Sequence, residues 1–288
     1  MLAELHARHG LSVEDARVVH QHSNTAVALP AEGLLVRIAG GTGKKAAVQA
    51  SVRVCRWLAG RDFPCVEPVQ IEPLDAGGAV VSLWKLLDVV DEPRPTGADL
   101  GSIVRQLHAQ PVLPVALAPL NDPLHSVSVA VREGTGGMSR TDADWLQDRI
   151  EHMRAVWAGL KAVLPQGLVH GDAHPGNLIR TREGRVVLGD WDHVAYGPRE
   201  WDLVQIHYMA RRFRRYDGDD VQVFTDAYGW DVTTWQGCED LIAIRELSGL
   251  SPYIRRAAHE SWAAEEIAYR VSCLRSGDRT TTWNSPRT

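Results

Sequence analysis

The stretch 168–192 carries the side chains whose types and spacing could do chemistry. The candidate side chains in this stretch are His170, Asp172, His174, Asn177, Asp190 and Asp192. Short apolar runs precede and follow a polar loop, and a third run follows a Glu-Gly turn, which predicts strand, loop, strand, turn and strand. Because carboxylate and amide oxygens at strand ends are hard ligands, the stretch predicts Mg²⁺ and phosphate chemistry.

A zinc site of the form H-x-D-x-H is the alternative chemistry for His170, Asp172 and His174. A helical zinc site needs its two imidazoles one turn apart on the same helix. Gly171 and Pro175 oppose a helix at this place, so the zinc interpretation is disfavoured. On its own, Asp172 would be interpreted as an ordinary loop-capping residue.

The elements that must position this loop begin with a β-rich segment. Runs rich in Val, Leu and Ile between turn residues predict five strands, with one helix between the third and the fourth. The expected strands are 16–21, 26–29, 34–39, 69–71 and 79–83, and the expected helix is 44–59. We therefore expect an N-terminal domain at 1–90, with a hinge at about 84–90.

The remaining segment, 91–288, is predicted to be mostly helical. Thr96 and Asp99 form a capping-box-like pair that predicts the first helix. Proline, glycine and serine make 110–140 loop-like, and Thr141 is expected to cap the next helix. The later elements are expected as helices at 198–212, 218–228, 233–249 and 255–275 and a disordered tail after Gly277.

The composition is that of an ordinary globular protein of 288 residues, 44% of them hydrophobic and 23% charged. A net charge of −5 gives no reason to expect a nucleic-acid or membrane surface. The four cysteines include no C-x-x-C pair, which favours reduced thiols over a zinc ribbon. Because the N-terminus lacks the apolar core of a signal peptide, we expect a cytoplasmic protein.

The motif H-G-D-A-H-P-G-N at 170–177, followed by D-W-D at 190–192, resembles the catalytic motifs of the aminoglycoside phosphotransferase and choline kinase family. The resemblance covers roughly residues 14–275, and its motifs are confined to 170–202. It implies an α+β, bilobal protein-kinase-like fold. In that fold a five-stranded antiparallel N-lobe with one helix precedes a larger, mainly helical C-lobe that binds the acceptor.

The resemblance also implies roles for residues of the motifs. Asp172 matches the catalytic aspartate that accepts or orients the proton of the attacking hydroxyl. Asn177 and Asp190 match two Mg²⁺ ligands, which agrees with the need of phosphoryl transfer for positioning and charge neutralisation. His170 is expected to hold the loop by hydrogen bonds, and Asp202 resembles the helix-start aspartate that braces it.

The nucleotide-binding residues are implied by their order along the chain. Ser23 and Asn24 lie between the first two strands, where the family has its phosphate-covering loop. Arg37, on the third strand, is placed to hold the α- and β-phosphates as a bidentate donor. The backbone of Lys85 and Leu87, in the expected hinge, is placed to face the purine.

One departure from the family pattern concerns the helix at 44–58. The family commonly has a glutamate there that pairs with the phosphate-binding cation, but this helix contains no acidic residue. Ser51 occupies the corresponding position, so the group that orients Arg37 stays open. His174 is interpreted as a brace of the loop that supports the site. Asp192 is interpreted as a contributor to the metal site or the acceptor pocket, with a plain turn cap as the alternative.

The function that follows is an ATP- or GTP-dependent, Mg²⁺-requiring O-phosphotransferase for a small-molecule hydroxyl. The expected acceptor is an antibiotic of the aminoglycoside, sugar or nucleoside type, or its precursor, in resistance or self-resistance. Two alternatives stay open. One is a metabolic kinase for choline, homoserine or a sugar, with Trp191, Tyr196 and Trp201 as a choline cage. The other is a nucleotide-binding pseudokinase without turnover.

Overall fold

The computed structural model describes residues 2–21, 24–40, 44–111, 116–134 and 136–284. The chain forms two compact units. The first consists of Met1–Ala118 and His170–Ala195, and the second of Pro119–Val169 and Tyr196–Thr288. The polar loop therefore belongs to the same unit as the β-rich N-terminal segment. The lobe boundary near residue 90 stays a prediction.

An antiparallel sheet of five strands dominates the first unit. Its strands are β1 Arg17–Gln21, β2 Asn24–Leu29, β3 Leu34–Gly40, β4 Leu74–Ala76 and β5 Ala79–Lys85, in the spatial order β1-β2-β3-β5-β4. Helix α1, Leu2–His9, packs on this sheet through Leu5, whose side chain is buried among Val27, Val36 and Val81. The predicted five antiparallel strands, with one helix between the third and the fourth along the chain, are confirmed.

The fourth strand lies five residues later than the sequence predicts. The prediction of a strand at 69–71 is wrong, and β4 is Leu74–Ala76. Gly77 and Gly78 both have positive φ, 56° and 75°, and they join β4 to β5 in the tight two-residue turn that suits a hairpin. This turn pairs the residues directly beside it, so the apolar side chains of 69–71 remain largely exposed.

Helix α2, Lys45–Ala59, follows β3 as predicted. Its buried side chains include Val48, Ser51, Val52 and Cys55, which recur at helical spacing. Helix α3, Gly97–His108, begins at the predicted capping box, in which the Thr96 and Asp99 side chains each accept a hydrogen bond from the other residue's backbone N–H.

A β-hairpin carries the polar loop. Strand β6, Gly167–Val169, precedes the loop, β7, Leu178–Arg180, follows it, and β8, Val186–Leu188, pairs with β7 across the predicted Glu-Gly turn. The segment after β5 lies against this hairpin, since Val90 N–H donates to the Arg180 carbonyl at 3.0 Å. The expected strand, loop, strand, turn and strand are confirmed, and β9, Ala195–Gly197, follows them.

The second unit is mainly helical. Its helices are α4 His125–Arg132, α5 Arg140–Gly159, α6 Glu200–Phe213, α7 Gly218–Tyr228, α8 Cys238–Ser248, α9 Ser251–Ala257 and α10 Ser261–Ser276. None of the helices in the described ranges combines the length and apolar character needed to cross a lipid bilayer.

Four predictions for the helices differ from the structure, and one of them is the helix expected at 233–249, which begins at Cys238. Helix α4 lies in the segment predicted to be a loop, because buried apolar residues at helical spacing, such as Val127 and Ala130, outweigh the turn-rich composition around them. Ser139, rather than Thr141, caps α5. The single helix expected at 255–275 is two helices, because Glu260 is extended with φ −134° and ψ 109°.

The cysteines are free thiols, as predicted. Cys55, Cys65, Cys238 and Cys273 are buried and carry no disulfide. Burial raises the pKa of the Cys55 thiol, and its hydrogen bond with Cys65 acts in the same direction. A thiol of this kind is unreactive because the thiolate is the nucleophilic form.

The C-terminal tail is ordered through Asn284, which overturns the prediction of disorder after Gly277. Arg212, only 1% exposed, donates to the backbone carbonyls of Asp278 and Thr281 at 2.8 and 3.0 Å. Trp283 is 4% exposed, with the Arg212 guanidinium 4.5 Å from its ring centroid. Arg270, also fully buried, donates to the Asn284 carbonyl at 2.6 Å. Two buried arginines therefore hold the tail, a tertiary effect that local composition does not encode.

Replacing Trp283 with Ala should lower the free energy of unfolding by about 3–5 kcal/mol, the usual cost of deleting a buried aromatic side chain. Urea denaturation measures this effect. Val163→Ala is the matched control: that side chain is 62% exposed in the same unit, and we expect a change within about 0.5 kcal/mol. Equal stability of the two variants would show that the tail is not part of the folded unit.

Candidate active site

His170 ties the polar loop to the end of β8. Its ring is fully buried, its Nε2 lies 2.8 Å from the Gly189 carbonyl, and the Asp172 N–H donates to its Nδ1 at 3.3 Å. Because Nδ1 accepts, Nε2 must carry the proton and donate to Gly189. Trp191 packs on the same ring edge-to-face, with 4.8 Å between centroids. These contacts hold the loop in the way predicted for this histidine.

The loop is closed a second time between Asp172 and Asn177. The Asn177 Nδ2 donates to the Asp172 carbonyl at 2.9 Å, and the Gly189 N–H donates to the Asn177 carbonyl at 2.8 Å. With its amide nitrogen engaged, Asn177 has its side-chain oxygen left for a ligand. The Asp172 carboxylate is 29% exposed, and its Oδ2 lies 3.8 Å from Nε2 of His174.

His174 supports the loop rather than a metal. Its Nδ1 accepts a hydrogen bond from the Gly176 N–H at 3.1 Å, which caps the 3₁₀ turn Pro175–Asn177. Both ring nitrogens of His170 are also engaged with backbone groups. The two imidazoles therefore serve the conformation of the loop, which argues against the zinc alternative.

Asp190 and Asp192 both contact Arg37, although they lie more than 150 residues later in the sequence. The Arg37 Nη2, on β3, donates to Asp190 Oδ1 at 2.9 Å and to Asp192 Oδ2 at 3.0 Å. Asp190 has left-handed backbone angles, φ 53° and ψ 62°, at the start of the 3₁₀ turn Trp191–His193. An aspartate tolerates this conformation, and it lets two carboxylates two residues apart face the same guanidinium.

Asn24 extends this polar network. Its Nδ2 donates to Asp192 Oδ2, and its Oδ1 accepts from Lys44 Nζ at 3.3 Å. The side chain of Asn24, at the start of β2, thus lies between a carboxylate and an ammonium group. The phosphate contact predicted for its backbone N–H stays a prediction.

A cleft of about 490 Å³ lies within the first unit. Its lining includes the predicted residues Asn24, Arg37, Lys85, Leu87, Asn177 and Asp190. Apolar side chains line the rest, among them Val18, Ala28, Leu35, Val66, Trp84 and Ile179. The cleft therefore has a polar end, where the Arg37 guanidinium lies beside the oxygen ligands of Asn177 and Asp190, and apolar walls that suit a purine.

The backbone of the predicted hinge is partly committed to the sheet. The Lys85 N–H donates to the Glu67 carbonyl and the Leu86 N–H donates to the Gly33 carbonyl, both at 2.9 Å. The Lys85 side chain points to solvent, where it pairs with Glu67. A backbone contact from Lys85 to a base would therefore come from its carbonyl oxygen.

Comparison with protein families decides the class of the protein. The model of the APH family, described as the phosphotransferase enzyme family, matches residues 15–241, which is most of the chain. The chain belongs to the APH phosphotransferase family. The predicted enzyme class, a phosphotransferase with an alcohol group as acceptor, is thereby confirmed. A comparison with curated protein sequences gave no significant match.

Solved structures agree with the APH assignment in fold. Amicoumacin kinase hAmiN, in complex with AMP-PNP, Ca²⁺ and Ami, is 13% identical, with a TM-score of 0.68 over 95% of this chain and 92% of that chain. A choline/ethanolamine kinase family protein from Mesorhizobium loti is 15% identical, with a TM-score of 0.65 over 94% and 92%. The GDP and kanamycin complex of APH(2")-IIia is 14% identical, with a TM-score of 0.65 over 96% and 98%. The predicted α+β, protein-kinase-like fold is confirmed.

Two predicted site residues of this APH-family chain lie outside the cluster described above. Ser23 lies outside the described residues. Asp202 is fully buried on α6, in the second unit. Its predicted role as a brace of the catalytic loop stays a prediction.

The donor set of this APH-family site fits Mg²⁺. The ion typically takes one or two protein carboxylates, and phosphates and waters complete its octahedral shell. Asn177 and Asp190 both line the polar end of the cleft and offer an amide and a carboxylate oxygen. The left-handed backbone at Asp190 is a strained conformation of the kind found at ligand sites.

Sequence reasoning missed the apolar walls of the cleft and the partners of Arg37. Ile179 and Val66 line the cleft, and neither was predicted as a site residue. The alternation of β7, in which Leu178 is buried and Ile179 is half-buried, is the signal that could have found Ile179. For Asp192, the two-residue step from Asp190 across a tight turn was the available signal.

Proposed function

We propose that this APH-family protein is an ATP- or GTP-dependent, Mg²⁺-requiring O-phosphotransferase for a small molecule. The cleft carries the proposal, because its apolar walls adjoin the hinge while Arg37, Asn177 and Asp190 line its polar end. The purine would lie against the apolar walls, and the phosphates would extend toward these three residues. AMP-PNP and GDP are bound to two of the similar structures, which supports a nucleotide co-substrate.

The chain's own residues would each do one job in the transfer. Arg37 would donate to phosphate oxygens, and its planar guanidinium can present two N–H groups to one phosphate. Asp172 would accept or orient the proton of the acceptor hydroxyl, which must leave as the new oxygen–phosphorus bond forms. Asn177 and Asp190 would hold Mg²⁺, which neutralises charge on the phosphate oxygens when bound.

The proposed acceptor is the hydroxyl of an antibiotic or its biosynthetic precursor, in resistance or self-resistance. Two similar structures hold Ami and kanamycin, which supports an antibiotic acceptor. Residues 191–288 contain fifteen acids against twelve Lys and Arg, close to balance. Because a polycationic aminoglycoside would favour a larger acidic excess, we propose a neutral or weakly cationic acceptor.

The expected choline cage keeps one accessible ring: Tyr196 is 42% exposed, and the two tryptophans are buried. Trp191 is fully buried against His170 and Phe63, and Trp201 is 4% exposed with the Arg245 guanidinium 3.6 Å from its ring centroid. Their ring faces are therefore occupied within the protein. Homoserine or a sugar remains the metabolic alternative. The pseudokinase alternative is weakened, because Arg37 has acidic partners after all.

A nucleotide-release screen tests the proposed function. ADP and GDP release are measured with ATP and GTP against a panel of aminoglycosides, nucleoside antibiotics, choline, homoserine and sugars, with Asp172→Ala as the control. We expect one acceptor class to stimulate release in the parent protein and not in the variant. Mg·nucleotide binding without stimulation by any acceptor would support the pseudokinase instead, and stimulation that survives in Asp172→Ala would overturn the role of that residue.

Replacing Asp190 with Asn should raise the Mg²⁺ concentration for half-maximal activity about 10–100-fold, because one charged ligand is lost from a small site. A Mg²⁺ titration at saturating nucleotide measures this effect. Glu183→Gln, an exposed acid in the turn of the same hairpin, is the control and should not move the midpoint. An unchanged midpoint in Asp190→Asn would exclude Asp190 as a metal ligand.

A further inference from the structure

Helix α2, which lines a small cavity beside Arg37, has no acidic side chain that could pair with this arginine. It contains no Asp or Glu, and the two side chains with which it lines the small cavity are Val48 and Ser51. Ser51 is 1% exposed, and within the described residues its Oγ has no hydrogen-bond partner. The small cavity is lined by Ser51, Arg37 and Asp192 together. Ser51 therefore occupies the position in α2 from which an acidic side chain could hold the Arg37 guanidinium.

Asp192 meets the same guanidinium from the loop side. Its Oδ2 accepts from Arg37 Nη2 at 3.0 Å and from Asn24 Nδ2. The Arg37 and Asp192 side chains are 18% and 25% exposed, so the contact is largely shielded from solvent. Charge-assisted hydrogen bonds in such a setting are stronger than exposed ones. Asn24 also restricts the carboxylate itself, since one oxygen serves two donors.

The two carboxylates that contact Arg37 differ in what else they face. Asp190 lines the main cleft, and its side chain is 43% exposed. Asp192 lines the small cavity beside Ser51, and it does not belong to the described lining of the main cleft. Asp190 is thus open to a ligand in the cleft, while Asp192 is directed at Arg37 and Asn24.

We propose that Asp192 is the positioning residue for Arg37. From its place in the loop, Asp192 does what an acidic residue of α2 would do at the position of Ser51. The proposal rests on the proposed function, in which Arg37 binds phosphate. A guanidinium held in its productive direction before binding loses less conformational entropy when phosphate arrives. Asn24 is the second anchor, because it restricts Asp192 from β2.

The affinity for ADP in the presence of EDTA tests the proposal without metal and without turnover. We expect Arg37→Met to weaken binding about 10–100-fold and Asp192→Asn about 5–20-fold, as for the loss of one charge-assisted contact. In the double variant the two effects should not add, because Asp192 acts through Arg37. In steady-state kinetics, Asp192→Asn should raise the nucleotide KM more than it lowers kcat.

Moving the carboxylate from residue 192 to residue 51 tests whether Asp192 positions Arg37 or only supports the fold. Asp192→Ala combined with Ser51→Asp moves the carboxylate across the same small cavity, and it should recover ADP affinity to within about 3-fold of the parent if a nearby acid is what Arg37 requires. Glu72→Gln is the matched control. It removes another Arg–carboxylate pair of the first unit, with Arg53 at 2.9 Å, and should leave ADP affinity unchanged.

The outcomes distinguish this proposal from the proposed function. If Arg37→Met leaves ADP affinity unchanged, Arg37 does not bind phosphate, and the assignment of the cleft fails together with the role of Asp192. If Arg37→Met weakens binding while Asp192→Asn does not, or if the two effects add fully, only the role of Asp192 is overturned. Thermal unfolding of each variant identifies any loss that comes from misfolding.

Discussion

Replacing Asp172 with Asn is expected to lower kcat about 10²–10⁴-fold with the acceptor found in the release screen, the range typical of a lost general base. The amide has the size of the carboxylate but cannot accept the proton of the attacking hydroxyl. Since nothing in the nucleotide cleft changes, the ADP dissociation constant should stay within about 2-fold of the parent value. Steady-state turnover at saturating substrates and calorimetric ADP binding measure the two quantities.

The fold around Asp172 should survive this substitution. The loop is held through the backbone of Asp172, by its N–H on His170 Nδ1 at 3.3 Å and by its carbonyl on Asn177 Nδ2 at 2.9 Å. Both contacts are independent of the Asp172 side chain. Asp88→Asn, an exposed acid paired with Arg182 in the same unit, is the matched control and should keep full kcat. A kcat for Asp172→Asn within about 3-fold of the parent would rule out a base at this position.

The parts of the fold that could be predicted are those written in local sequence. The three strands before α2 follow from runs of Val, Leu and Ile between turn residues, and the start of α3 follows from Thr96 and Asp99, three residues apart. Such signals act within one turn of helix or one hairpin. These local signals therefore do not depend on contacts with distant parts of the chain.

The parts that failed depend on contacts between distant residues. The tail after Gly277 contains mostly polar and small residues, and side chains from earlier helices satisfy its carbonyls, among them Arg212 and Arg270. Helix α4 is likewise stabilised by burial of Val127 and Ala130 rather than by its own propensity, since β-branched valines are weak helix formers. Composition alone therefore assigned both segments to irregular structure.

The residues of the candidate site also differ in whether local sequence could predict them. Asp172, Asn177 and Asp190 were recognisable because one loop and one hairpin carry all three. The partners of Arg37 were not, because Asp190 and Asp192 are 153 and 155 residues away in sequence. The family pattern places the acidic partner of this cation in the following helix. In this protein the two acidic partners come instead from the segment that follows the β7–β8 hairpin.

Gly171→Ala is expected to destabilise the protein by at least about 3 kcal/mol and to abolish activity, the combined cost of a left-handed residue and an overpacked backbone contact. Gly171 has φ +86°, and a Cβ there would lie 2.1 Å from the His193 carbonyl oxygen. A backbone oxygen cannot rotate away as a flexible side chain could. Urea denaturation measures the loss of stability, and the release assay measures the loss of activity.

Gly184→Ala isolates the steric part of that loss. Gly184 lies in the β7–β8 turn with φ +84°, nearly the same as Gly171, but a Cβ there meets nothing within 4 Å. It should therefore cost only the left-handed conformation, about 1–2 kcal/mol. The difference between the two variants measures the contact with His193, whose displacement would also move Asp192 and the turn that begins at Asp190. If both variants lose equal stability, the loop tolerates that displacement, and the close approach of Gly171 to His193 does not set the geometry of the site.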